Sequence, residues 1–419
     1  MEWLGEIPAG WEAKPLKHLT AFSTGWTPPT GREDLYGGDH FWANISDLGQ
    51  KVITTTEKTI TDRAIREARL GVVRSGSLLF SFKLSVGTVS IAGADMYTNE
   101  AIAAFSPSPR IDTQYLYWAA PVLVPRNAQE NIYGAPLLNR ERISNASLLS
   151  PPNSEQRAIA AFLDRETARI DGLVAKKERL IELLQEQRTA LITGAVTKGL
   201  DPNDPMKDSG VEWLGEIPAH WEVKKWRYCC HITEGQVPPD DDRFRDKVMI
   251  APNHIESGTG RILYTETADE QGAISGKYLV KPGDIIYSKI RPALNKVCVA
   301  SGHWLCSADM YPVQITSSNL KAGFLLYFIL SEPFVRLMSD ESMRVAMPKV
   351  NREKLATCPL VIPSPKEQNV IAAFLDRETG RIDALIAKIR EAIERLKELR
   401  TALISGAVTG KIDVREQVA

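Results

Sequence analysis

Ile159-Ala160-Ala161-Phe162-Leu163-Asp164-Arg165-Glu166-Thr167 returns letter for letter as Ile371-Ala372-Ala373-Phe374-Leu375-Asp376-Arg377-Glu378-Thr379. Downstream the match runs without a gap through Arg169-Ile170-Asp171 and Thr189-Ala190-Leu191-Ile192 to Asp201, which pairs with Asp413. Upstream, Glu2-Trp3-Leu4-Gly5-Glu6-Ile7-Pro8-Ala9 recurs as Glu212-Trp213-Leu214-Gly215-Glu216-Ile217-Pro218-Ala219, and a second tryptophan follows each copy at Trp11 and Trp221. About two-thirds of the downstream positions are identical, so the chain is two copies of one unit with a period of about 210 residues. Between the matching parts lie two stretches, 13–150 and 223–362, each of about 140 residues, an ordinary domain size. These are far less alike. Faint echoes remain: Val72–Ser81 aligns with Leu279–Ser288, and Asn139-Arg140-Glu141 with Asn351-Arg352-Glu353. A constant frame holding a variable head, twice over, predicts two similar heads in pseudo-two-fold relation, each tuned to something different.

Residues 154–197 and 366–408 read as long helices. In the second, Ile382, Ile386, Ile389, Ile393, Leu396 and Leu403 step by 4, 3, 4, 3 and then a heptad, the seam of a coiled coil. The first copy carries Ile170, Val174, Lys177, Ile181, Leu184 and Leu191 at the same places. Ser364 can cap the second helix, Pro365 suits its first position, and Glu367 completes a capping box. A helix of about 40 residues spans on the order of 60 Å. Matching length and near-identical sequence within one chain favour an intramolecular antiparallel pair; an oligomerising coiled coil between chains is the competing reading.

Both heads read as α/β, with apolar β-branched runs punctuated by Gly and Pro. Strands are expected at Ser77–Phe80, Val86–Ile91, Asp284–Tyr287 and Lys296–Val299, and short helices at 114–124 and 322–339. The connections after the paired strands are polar and basic: Lys83 and Ser85 in the first head, Lys289, Arg291, Asn295 and Lys296 in the second. Arg and Lys suit guanine edges, Asn suits adenine, and Ser or Lys suits phosphate. Solvated loop charge is the bland reading of each residue alone; clustering at equivalent places in both heads favours a DNA-binding role. Trp26, Trp42 and Trp304 read as core or partner contacts.

The 419 residues carry a net charge of −1 with 43% hydrophobic and 25% charged residues, the profile of a soluble globular chain. The balanced charge lacks the basic footprint that phosphate neutralisation usually leaves, so a basic stripe or positive charge on partner subunits would have to supply it. No apolar run reaches the roughly 18 residues of a membrane helix. Met1–Glu6 has neither the basic nor the apolar region of a signal peptide. Cys229, Cys230, Cys298, Cys306 and Cys358 form no CxxC pair, so reduced thiols in a cytosol are expected.

The patterns nearest to catalytic motifs are each incomplete. Gly406-Ala407-Val408-Thr409-Gly410-Lys411-Ile412 is one residue short of a P-loop and ends in Ile. Ser150-Pro151-Pro152-Asn153 lacks the aromatic with which an amino-methyltransferase grips a flipped base, and reads as helix-start punctuation. Glu12-Ala13-Lys14 and Glu222-Val223-Lys224 have the Glu-x-Lys of nucleases, but the first has no aspartate upstream to complete a metal site. Asp240-Asp241-Asp242 lacks calcium-loop spacing, and Cys229-Cys230-His231 is too tight for one tetrahedral metal. No catalytic and no metal residues are expected. The frame tryptophans Trp3, Trp11, Trp213 and Trp221 are expected to be exposed near the helix ends.

With these residues laid out, the sequence resembles the specificity subunits of type I restriction–modification systems. The frame carries the resemblance: Trp-Leu-Gly-Glu-Ile-Pro with Trp11 and Trp221, Glu155-Gln156 and Glu367-Gln368 after a Pro-containing bend, then the repeated Ile159–Thr167 motif and the long helix ending Leu-Ile-Thr/Ser-Gly-Ala-Val-Thr. The resemblance implies an α/β protein: two globular target recognition domains joined by two long antiparallel coiled-coil helices, in a pseudo-two-fold repeat. The division expected is 1–153 and 201–363 for the recognition domains, 154–200 and 364–419 for the helices. Each head would read half of a split double-stranded DNA sequence, and the helices would set the gap and dock two modification subunits. S-adenosylmethionine would belong to those subunits, and ATP with Mg to restriction subunits that join them; no cofactor is expected in this chain. The heads are the variable parts of that family, so base-reading residues do not carry over. A stand-alone tandem DNA-binding regulator and a protein-binding coiled-coil scaffold are the rival readings.

Overall fold

The structure, a computed structural model, describes residues 5–83, 85–130, 136–340 and 349–414. Trp3 and Leu4 of the frame lie outside them. The chain divides into two compact units, one of Met1–Lys176 with Glu391–Ala419, the other of Lys177–Arg390. The chain passes between them inside two long helices, Asn153–Lys198 and Pro365–Val408.

The first unit begins with the strand Glu12–Pro15, which pairs antiparallel with Ser147–Ser150 immediately before the long helix, so the head starts and ends at one ladder. Its main sheet has the order Phe22–Thr24, Ile102–Phe105, Leu78–Ser81, Val89–Ala92, Val52–Ile53. The central strands Leu78–Ser81 and Ile102–Phe105 are buried on both faces, which explains their unbroken apolar runs. A second sheet joins Lys58–Ile60, Tyr36–Ala43 and Tyr97–Thr98. The helix Thr113–Leu123, capped by Asp112, covers the main sheet and donates the Tyr115 hydroxyl to the Leu149 carbonyl at 3.0 Å.

The second unit repeats the plan. Glu222–Lys225 pairs with Pro359–Ile362, and its main sheet runs Cys230–Ile232, Met310–Ile315, Ile285–Ser288, Val297–Val299. The single helix expected at 322–339 is two helices, Ala322–Leu330 and Glu332–Asp340. Ser331 between them is extended (φ −68°, ψ 145°) and donates its hydroxyl back to Phe328, while Pro333 supplies no N–H to continue the first ladder. The strand expected from Val86 starts at Val89, because Gly87 takes a positive φ of 94° and turns the chain.

In each unit the two long helices pack antiparallel. In the first, Ile159, Phe162 and Leu163 share a core with Leu403, Ala407 and Val408, and Asp171 meets Arg400 at 3.0 Å. In the second, Ile192, Ala195 and Val196 share a core with Ile371 and Leu375, and Asp383 meets Arg188 at 3.1 Å. Each pair is the other's image under the repeat. The seam is the covered stripe: Ile170, Leu184, Ile386, Ile389 and Ile393 are buried and the other seam positions half-buried, Lys177 included. The pairing is within the chain.

The frame segments are structural. Trp11 and Trp221 are buried and Trp213 half-buried, against the expectation of exposure. Gly410, at φ +75°, lies so close to Pro8 that a Cβ would meet its ring at 2.5 Å, and it packs on Trp11. The frame thus wedges onto the end of a long helix, which hides its indoles.

Candidate nucleic-acid interface

The repeated motif shows what the constant residues do. Gln156 and Gln368, almost fully buried, occupy the first turn of each long helix. Gln156 accepts from the Asp112 N–H at 2.7 Å and donates to the Pro151 carbonyl; Gln368 accepts from the Lys321 N–H at 2.8 Å and donates to Asn319 and Pro363. Each ties the long helix to the start of its head's covering helix. The repeated aspartates act one level further along: Asp164 accepts from the Trp118 indole and from Lys51, and Asp376 accepts from the Tyr327 hydroxyl. Ser364 caps the second helix as expected, with the Glu367 N–H at 3.3 Å. The other half of the box is not made: the Glu367 carboxylate instead accepts from the Trp221 indole at 2.9 Å and lies 3.1 Å from His220.

On this scaffold the two basic connections occupy the same end of their sheets. In the first head Ser81 faces Ile102 and Thr24 faces Ala103, so the ends of Phe22–Thr24 and Leu78–Ser81 lie together. Lys83 is exposed there, 3.9 Å from Glu100. Hydrogen bonding from the Thr27 hydroxyl, with Lys83 nearby, holds the Glu100 carboxyl below its usual range. Ser85 sits in the left-handed region (φ 47°), where a non-glycine residue is uncommon, and its carbonyl accepts from the Thr88 N–H and hydroxyl. Its hydroxyl is left to solvent among the described residues.

In the second head the connection is longer and two of its residues turn inward. Arg291 and Asn295, at φ 48° and 41°, bracket the short 3₁₀ turn Pro292–Leu294. Arg291 is exposed, whereas Asn295 is 4% exposed and donates its amide to the Ile329 carbonyl at 2.9 Å. Asn295 is therefore no surface reader of adenine in this structure; its positive φ folds the side chain beneath the loop. Half-buried Lys296 donates to the Pro252 carbonyl at 2.6 Å and braces the same loop. Lys289 stays at the surface side, its ammonium 5.9 Å from the centre of the Tyr311 ring.

Two further cations join these ends. Arg140 lies over Phe22 at 5.7 Å and donates to the Thr24 hydroxyl; Arg352 lies over Tyr311 at 5.7 Å and pairs with Glu234 at 2.8 Å. Each follows an Asn that caps a short helix, Asn139 and Asn351. The sequence signal for them is the Asn-Arg-Glu echo between otherwise unlike heads, which by itself assigns no role to any of the three residues.

The decoy motifs resolve into structure. Glu12 and Lys14, like Glu222 and Lys224, are same-face neighbours on the closing strands and pair with each other. Asp241 is pulled down to about 2 by hydrogen bonds from Arg243, a closed surface turn. Among the described residues one group, Asp204, His220 and Glu367, brings ligand-type atoms within 4.8 Å of one another, and its Glu367 already holds the Trp221 indole.

The family described as type I restriction modification DNA specificity domain matches residues 8–183 and 218–395, one copy on each repeat. The chain belongs to this family. It is 28% identical to the type I restriction enzyme EcoDI specificity subunit of Escherichia coli over 97% of this chain and 90% of that one. It is 23% identical to the MjaIX specificity subunit of Methanocaldococcus jannaschii, over 99% and 96%. A chain from a type I restriction–modification assembly superposes with a TM-score of 0.74 at 15% identity, covering 97% of this chain and 100% of that one. The HsdS subunit from Thermoanaerobacter tengcongensis gives 0.54 at 16%, covering 97% and 98%. These structural likenesses speak for the fold, and the family match favours a specificity subunit over a stand-alone regulator. Among the described residues no single helix is long and apolar enough to cross a membrane.

Proposed function

We propose that each head reads one half of a split double-stranded DNA target, with Lys83, Ser85 and Arg140 at the reading end of the first head and Lys289, Arg291 and Arg352 at that of the second. The observation that carries this is the recurrence of a cationic sheet end in two heads that otherwise differ, inside a frame that does not. Arg140 and Arg352 suit phosphate or guanine, and the exposed Arg291 suits a base edge. The long helices set the gap between half-sites and dock two modification subunits, which hold S-adenosylmethionine and methylate adenine. Restriction subunits using ATP and Mg complete the assembly, in the cytoplasm where the DNA lies. The chain itself supplies no cofactor chemistry.

The test is modular. Replacing 223–362 with the corresponding head of a relative of different specificity, in cells that express the modification subunit, should change one half of the methylated motif and leave the other half as before. A change in both halves, or in neither, with an assembled complex would overturn the assignment of one half-site to each head.

A further inference from the structure

We propose that Arg188 is a positioning residue for the second half-site, coupling the helix pair to the basic loop of the second head; this rests on the function proposed above. Its side chain is 8% exposed, and each of its three guanidinium nitrogens donates one hydrogen bond. Nε donates to Asp383 on the other long helix at 3.1 Å, Nη1 to the Gly258 carbonyl at 2.9 Å and Nη2 to the Thr259 carbonyl at 3.3 Å. The last two belong to a turn closed on itself by the Arg261–Glu256 pair at 2.6 Å and the Ile255–Ile262 bridge. From that turn the Gly258 N–H donates to the Asn295 carbonyl at 3.2 Å, and the Asn295 amide continues to Ile329. Asn295 ends the 3₁₀ turn that Arg291 begins. An unbroken path of hydrogen bonds therefore runs from the helix seam to the loop that bears Arg291.

The repeat supplies the contrast. Arg400, the image of Arg188, pairs with Asp171 at 3.0 Å but is 36% exposed, and its guanidinium lies 6.0 Å from the Trp118 ring. Among the described residues it makes no hydrogen bond to a head carbonyl. An arginine needed only to join two helices would need only its aspartate. The two carbonyls held by Arg188 are a second task, and a planar fork fixes direction as well as distance.

Removing one partner of a buried pair leaves an unpaired charge, whereas replacing both with apolar residues of similar size is often neutral for packing. The decisive variant is therefore Arg188→Met with Asp383→Leu, in the full chain co-expressed with the modification subunit. Its methylated motif is mapped on host DNA beside wild type and Arg400→Met with Asp171→Leu. The expected result is a motif whose second half becomes degenerate at one or more positions while its first half and the gap hold, with both halves intact in the Arg400 control. Amide hydrogen exchange on the chain should show the 256–261 and 289–296 segments opening about tenfold faster, with the flanking sheet unchanged. An unchanged motif in the Arg188 variant would overturn the proposal. If the variant fails to assemble, exchange decides: selective opening of those two segments supports the coupling, and uniform loss of protection overturns it. Absence of any split motif with the wild-type chain would instead overturn the reading of function.

Discussion

Gln156 and Gln368 show how a single buried amide can hold an element. Each satisfies a head N–H and at least one carbonyl, so truncation leaves two or more buried polar groups without partners. Gln368→Ala should destabilise the chain by about 2–4 kcal/mol in urea unfolding, whereas exposed Lys366→Ala two residues away should stay within about 0.5 kcal/mol. Equal effects would show that Gln368 is not a tie. The Glu-Gln pair was legible as a helix-entry signal, but its partners were not, because Asp112 and Lys321 are more than forty residues away in sequence. Glu367 was misassigned for the same reason: a capping box is a local rule, and the Trp221 indole is a long-range competitor that local rules do not see. The cysteines make a residue-scale prediction of their own. Burial pushes the Cys298 and Cys358 thiols up from about 9 to about 12. Folded thiols thus stay protonated while unfolded ones ionise, so the stability they contribute is intact below about pH 9 and lost as pH rises toward 12. At pH 8 a disulfide reagent should modify all five buried cysteines only after denaturant is added; rapid labelling of the native chain would contradict the burial.

At the scale of elements, the long helices were legible almost to the residue, because a seven-residue apolar repeat has one structural solution. Observed bounds of Asn153–Lys198 and Pro365–Val408 differ from the expectation by a residue at most ends. The head elements were legible in kind and less so in extent. Ser331 and Gly87 each interrupted a run whose composition read as continuous, since a single backbone angle outweighs the apolar pattern around it. The basic loops were found by position, yet composition alone did not separate exposed Arg291 from inward Asn295. A consequence for the helices follows from their shared seam. Inserting four residues, about one turn, at facing points of both helices keeps the two helices matched in length at the cost of a local stutter in the seam, and should lengthen the methylated motif's gap while preserving both half-sites. An unchanged gap in a folded, active complex would count against the helices as the spacer.

For the whole molecule, the repeat was the most legible feature, and it set the order of parts correctly. What it did not disclose is that each unit completes its core with the far end of the other repeat's long helix. Ala407 and Val408 pack with Leu163 in the first unit, and Ala195 and Val196 with Leu375 in the second. Deleting residues from 403 onward should therefore open the core around Ile159 and Leu163 to protease while the second unit's core around Phe324 and Leu375 stays resistant; equal resistance of the two would contradict this arrangement. The proposed function belongs to the same scale: one chain that directs methylation to a split DNA sequence. It is tested most directly by co-expressing the chain with its modification subunit and mapping N6-methyladenine on host DNA by single-molecule sequencing. The expected result is a motif of two short blocks around a fixed gap that disappears when this chain is deleted. An assembled complex whose methylation shows no motif dependent on this chain would contradict it.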